Sequence, residues 1–159
     1  MSRHGVFVLE EATALTVPIT GKSAVQVVVG TAPVNMVDNP EDVVNVPVFA
    51  TKAAEAMAAL GYCKDFQHYT LCQTMYATNN IYQVSPVVYI NVLDPAKHRK
   101  TLEKTQAAVS MLRAIVKIPG ILRDGLVVEA GSTPLTLGTD YTLEYETDGS
   151  LVVNLIAGG

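Results

Sequence analysis

Tryptophan is absent and aromatic residues make up only 6% of the 159 positions, so any core has to be built from Val, Ala, Leu and Ile. Charge is scarce as well, 16% of residues against 49% hydrophobic. That balance excludes intrinsic disorder, because apolar surface is ample to offset chain entropy. No apolar run approaches the roughly 18 residues of a membrane span, so the mean hydropathy of +0.28 reflects burial and no membrane partner is expected. The opening Met-Ser-Arg-His-Gly-Val lacks the apolar run and small-residue cleavage site of a signal peptide. Base is lacking too: 11 Lys and Arg against 15 Asp and Glu give a net charge of −4. The pI near 5.3 excludes the basic surface that nucleic-acid binding needs. The two cysteines, Cys63 and Cys72, signal neither a zinc site nor a disulfide framework. A soluble intracellular chain with reduced thiols, the size of one domain or one plus a fragment of another, is expected.

What is present divides the chain into three. Val6, Phe7, Val8 and Leu9 alternate at period two before Glu10-Glu11, as a short strand does. Thr13 to Gly21 reads as an extended arm, so residues 1–22 form an N-terminal arm whose strand can pair with its own fold or with another chain. Ala24 to Gly30 is almost continuously apolar and β-branched, the pattern of a strand buried on both faces. Val46 to Phe49 reads as a short second strand. Thr51 can cap an Ala-rich helix from Lys52 to Leu60, which Gly61 ends. Asp65 can cap a helix over roughly 66–78, and Ser85 to Leu93 is another buried strand. Strand, helix, helix, strand over residues 23–95 predicts an α/β layer.

From residue 96 the pattern changes. Ala96 to Arg113 has helix-forming composition, but Arg113 to Ile118 alternates at period two. Asp140 to Glu146 puts Tyr141, Leu143 and Tyr145 on one face, and Asp148-Gly149 is a hairpin turn leading into Leu151 to Ile156. Residues 96–159 therefore read as a mostly antiparallel β unit, and the chain as a whole as α+β. Its charge is lopsided: bases dominate from Asp94 to Asp124, and only acids occur from Glu129 to Asp148. Two readings stand, solvated faces of one small domain or complementary patches on a self-associating subunit.

Chemistry is thinly signalled. Cys63, Asp65 and His68 bring a thiol, a carboxylate and an imidazole together in sequence, the ingredients of a cysteine nucleophile with its base. A position just before a helix start would lower the Cys63 pKa. The competing reading makes Asp65 a helix cap and the cysteine an inert core residue. His4 and His98 read as solvated. Gly30-Thr31-Ala32 lacks a phosphate loop's Gly-Lys-Ser/Thr, and the acids at 140–148 lack a calcium-loop pattern. The residues thus assign no catalytic group, no metal and no cofactor.

Six segments in order resemble the contractile tail sheath proteins of myophage-type tails and their prophage and tailocin relatives. They are His4-Gly-Val-Phe-Val-Leu-Glu10, Ala24 to Pro33, Asn45-Val-Pro-Val-Phe49, Val87 to His98, Leu137 to Tyr145 and Asp148 to Val153. Together they span residue 4 to about 155 and correspond to the N-terminal portion of the family, whose members are considerably longer. The resemblance implies a structural subunit, not an enzyme, of a tube of hexameric rings around a tail tube. Its partners would be other sheath subunits, the tail tube and the baseplate, and its place the virion tail, or the bacterial cytoplasm during assembly. It further implies an α/β core (23–95), a β-rich insertion on the outer surface (96–159) and an arm whose strand, Val6, Phe7, Val8, Leu9 and Glu10, completes a sheet in a neighbouring subunit. Against this stand a small thiol enzyme using Cys63 and His68, and a monomeric protein-binding module.

Overall fold

The computed structural model describes residues 25–157. The 1–22 arm and its Val6–Glu10 strand lie outside the described residues. The β-branched run forms β1 (Gln26–Gly30), followed by a 3₁₀ turn (Val34–Met36) and β2 (Pro47–Ala50). Helices α1 (Ala53–Leu60) and α2 (Thr70–Tyr76) come next, α2 running into a π-helical turn (Ala77–Ile81), and β3 (Val87–Asn91) closes the unit. The three strands form one sheet in the order β1-β3-β2. β1 runs parallel to β3 with Val27 opposite Val88, and β2 antiparallel to it with Phe49 opposite Val88.

Local chemistry fixes the helix ends, not always as the sequence predicts. At the start of α1 the Glu55 carboxylate reaches back to accept the N–H groups of Thr51 (2.7 Å) and Lys52 (3.2 Å), satisfying donors that a helix start leaves free. The Thr51 hydroxyl donates to the same carboxylate at 3.0 Å rather than capping a helix N–H. Gly61 ends α1 at φ +76°, and a Cβ there would lie 2.5 Å from the Pro33 carbonyl oxygen. Asp65 does not cap α2. It accepts the His68 N–H at 3.3 Å in a separate turn, and α2 starts at Thr70 because Thr31 fixes it there. The Thr70 N–H donates to the Thr31 hydroxyl (3.1 Å), the Thr31 N–H to the Thr70 hydroxyl (3.0 Å), and the Leu71 N–H to the Thr31 carbonyl (2.9 Å). This close approach needs Gly30: a Cβ there would sit 2.4 Å from the Thr70 hydroxyl oxygen.

Both helices lie on one face of the sheet. Ala56 and Leu60 of α1, Leu71 and Met75 of α2, and Val87 and Tyr89 of β3 form its core. The Tyr89 hydroxyl meets the buried Thr78 hydroxyl at 2.7 Å, and the buried Asn91 side chain accepts the Ala32 N–H at 3.0 Å. The expectation that Ala24–Gly30 is covered on both sides fails. Val27 and Val29 are 58% and 61% exposed, because no described element packs on that side of the sheet.

The remainder forms β4 (Val109–Ser110), β5 (Arg113–Val116), β6 (Glu129–Ala130), β7 (Thr133–Pro134), β8 (Tyr141–Tyr145) and β9 (Leu151–Leu155). β4, β5, β9 and β8 make a four-stranded antiparallel sheet in that order, and β6 and β7 a separate pair. Gly149, at φ +89°, donates to the Glu146 carbonyl in the turn between β8 and β9. Residues 98–108 are not helical. They are exposed but for the half-buried Ala107, and helix-forming composition without a buried face does not hold a helix. Ala114, Tyr141 and Val153 form the small core of this sheet. The two halves touch where the Lys64 N–H donates to the Thr147 carbonyl at 2.7 Å.

Candidate functional site

Cys63 and His68, neighbours in sequence, are not assembled into a catalytic pair. Cys63 is fully buried with Cys72 and Tyr69, and its N–H points at the Cys72 sulfur 3.5 Å away. The imidazole of His68 is 69% exposed and sits 2.7 Å from the Asp65 carboxylate, with no hydrogen bond to Cys63. The Cys63 thiol is lowered, as the sequence predicts, but the first cause is its hydrogen bond with Cys72 rather than a helix N-terminus. That same contact, together with burial, pushes the Cys72 thiol strongly up. Burial also pushes Tyr69 up to about 12. A thiol pair that solvent does not reach is core, whatever its proton affinity. Among the described residues no group of three or more His, Cys, Asp or Glu is placed to hold a metal ion, and no helix is long and apolar enough to cross a membrane. His98 binds back onto its own turn, its Nδ1 3.1 Å from the Asp94 carbonyl oxygen. The remaining concavities are shallow; one of about 320 Å³ is lined by Tyr62, Lys64, Phe66 and Tyr76.

The basic and acidic stretches are joined within the chain by two ion pairs, Lys104 with Glu129 and Arg113 with Glu146. Arg123 pairs with Asp38 at 3.2 Å and lies over the Tyr145 ring at 5.4 Å. These partly exposed pairs fit solvated faces of one unit, although Lys100, Lys117, Asp140, Glu144 and Asp148 form no ion pair among the described residues.

The first sheet offers both strand edges and an apolar face. β1 and β2 are its outer strands among the described residues, each with one edge free of a neighbouring strand. Its uncovered face is apolar, with Phe49 of β2 59% exposed in line with Val88 and Val27. Sequence reading missed this face, because a continuous apolar run looks the same whether one side or both are covered.

Strand edges and an apolar face are thus the features of the first sheet, among the described residues, that another chain could contact. The chain is similar to the tail sheath protein of Burkholderia phage BcepMu, 27% identical over 143 residues. The alignment takes in 89% of this chain and 28% of that protein, so the chain spans just over a quarter of the length of the relative it matches. No family model matches it, and no solved structure matches it. The likeness supports a relationship to tail sheath proteins and is compatible with a structural role in a phage tail.

Proposed function

We propose that the chain is a structural subunit of a contractile, phage-type tail sheath, corresponding to the N-terminal portion of such a protein. The observation that carries this reading is the likeness to a tail sheath protein along nearly the whole chain. Residues 23–95 serve as part of the α/β core and 96–159 as a β-rich insertion. The Val6–Glu10 strand pairs with a sheet edge of an adjacent subunit, and the free edges of β1 and β2 are suitable acceptors. Each backbone hydrogen bond formed in that exchange contributes about 0.5–1.5 kcal/mol. Four or five give only a few kcal/mol per contact, and repetition around rings turns this into avidity. A flexible arm keeps the mesh joined while subunits slide and rotate during contraction. The energy comes from a metastable extended lattice relaxing to better-packed interfaces, so no nucleotide is consumed. Sheath subunits, the tail tube and the baseplate are its partners, in the virion tail and, during assembly, in the bacterial cytoplasm.

Electron microscopy of the chain co-expressed with the remaining length of a sheath protein tests the proposal. Rings or tubes containing this chain are expected, and none after deletion of residues 1–20. Normal assembly of the deleted chain overturns strand exchange through the arm; absence of the chain from any assembly overturns the sheath reading.

A further inference from the structure

The thiol pair of the first half has no part in the sheath reading. Cys63 lies in the segment between α1 and α2, and Cys72 in the first turn of α2. Both side chains are fully buried, and with Tyr69 they form a small cluster of their own. The Cys63 N–H points at the Cys72 sulfur 3.5 Å away. A Cβ lies about 2.5 Å from its own backbone nitrogen, so this sulfur is within a few Å of the Cys63 side chain, the proximity that a disulfide requires. Among the described residues no His, Asp or Glu joins the two cysteines into a metal site, so the chemistry open to them is that of a dithiol. Their cover is thin. Tyr62 and Phe66 pack on the cysteine cluster and also line the concavity of about 320 Å³ that they share with Lys64 and Tyr76. On that side a single layer of two half-buried aromatic side chains separates the thiols from solvent. Burial excludes a nucleophile that turns over a substrate. A small oxidant in the concavity is nonetheless one local opening away from the pair, and local openings fall far short of unfolding.

We propose that Cys63 and Cys72 are a site of oxidative modification, taken by a hydroperoxide to an intramolecular disulfide that ties α2 to the segment leaving α1. The Cys63 thiolate attacks the peroxide O–O bond, keeps one oxygen as a sulfenic acid, and releases the other, once protonated, as water. The Cys72 sulfur then attacks the Cys63 sulfur; the sulfenic hydroxyl leaves with the Cys72 proton as a second water, and the S–S bond forms. Two thiols and one hydrogen peroxide thus give one disulfide and two waters. The roles follow from the surroundings of each sulfur. Contact with Cys72 holds the Cys63 thiol down, whereas the same contact and burial keep Cys72 protonated until it resolves the sulfenic acid. The reaction runs once per chain and does not depend on the sheath reading.

Hydrogen peroxide applied to the folded full chain, followed by unfolding, alkylation and tryptic peptide mapping, tests the proposal. Both alkylatable thiols should be lost, and a link that reductant cleaves should join residues 53–64 to 65–97, the tryptic peptides that carry Cys63 and Cys72. The thermal midpoint should rise by about 5 °C and return on reduction. Cys72→Ser should leave a Cys63 sulfenic acid that dimedone captures, Cys63→Ala should leave Cys72 unmodified, and Tyr62→Ala should speed disulfide formation. Two alkylatable thiols after treatment of the wild-type chain, or sulfinic and sulfonic acids in place of the disulfide, overturn the proposal. So do links that form only between chains, or a disulfide that forms only in urea. Dimedone on Cys72 rather than Cys63 overturns the assigned roles. A chain that forms the disulfide yet never enters a tail assembly leaves this inference standing and removes the sheath reading alone.

Discussion

The outer strands β1 and β8 belong to different sheets and treat their two sides differently. In β8, Tyr141 is buried and Leu143 and Tyr145 are half-buried, while Thr142 and Glu144 face water. In β1, Val28 packs toward the helices, yet Val27 and Val29 on the other side, like Val25 just before the strand, are valines too, and are exposed. The antiparallel sheet carries the alternation of a surface meant for solvent on one side. The mixed sheet carries apolar residues on both sides although the helices reach only one. What the difference teaches is that exposure alone does not define a finished surface; the chemistry of the exposed side does.

The largest effect is expected in the better-packed half. Leu60→Ala removes a fully buried side chain between α1 and the sheet and should cost about 2–5 kcal/mol, read as a lower urea midpoint. A loss under about 1 kcal/mol would place that core on a par with the small one around Ala114. Matched changes on the two sheets sharpen the contrast directly. Val153→Thr buries a hydroxyl in the core of the second sheet and should cost about 1–3 kcal/mol. Val29→Thr on the bare face, measured where the chain is monomeric, should change stability by less than about 0.5 kcal/mol. Equal losses at both sites would mean that the bare face is covered within the monomer.

The β4–β5 hairpin offers a gain instead. Met111 and Leu112 form its turn at φ +50° and +62°, and Met111 is 98% exposed. A turn with two positive φ values favours Asn-Gly, so the double change Met111→Asn with Leu112→Gly should stabilise by about 1–2 kcal/mol, seen as a higher thermal midpoint. No gain would show that these side chains hold the hairpin by packing.

The smallest effect is electrostatic. Glu55 in the first half is held below the usual carboxylate range, chiefly by the Thr51 backbone N–H, and Asp148 in the second by that of Ser150. A lowered folded pKa contributes stability that is present above the ordinary carboxylate pKa of about 4 and is lost as pH falls through the folded value. The thermal midpoint should therefore hold above about pH 5 and decline below about pH 4. Asp148→Asn should flatten part of that decline, and an unchanged acid limb for this variant would remove Asp148 from the account.

Much of the layout is legible in the residues, because the signals are local. The β-branched run before Gly30, the Ala-rich helix stopped by Gly61, and the Asp148-Gly149 turn between alternating strands each act within a few residues of chain. Other features are set by distant partners. The start of α2 moves from Asp65 to Thr70 because Thr31, on the end of β1, receives its N–H. Cys63 and His68 are close in sequence yet separated in environment, one drawn into the core beside Cys72 and Tyr69, the other left at the surface with Asp65.

The sequence by itself determined where most of the strands, the first helix and the turns at Gly61 and Gly149 fall, and the resemblance to sheath proteins, since these depend on propensity, spacing and residue order. Only the tertiary structure decided which side of β1 meets the helices, that two ion pairs join the opposing charge stretches, and that no described element covers Val27, Val29 and Phe49. Burial is a property of what packs on a residue, and for the apolar side of a strand that partner is written elsewhere in the chain, or in another chain.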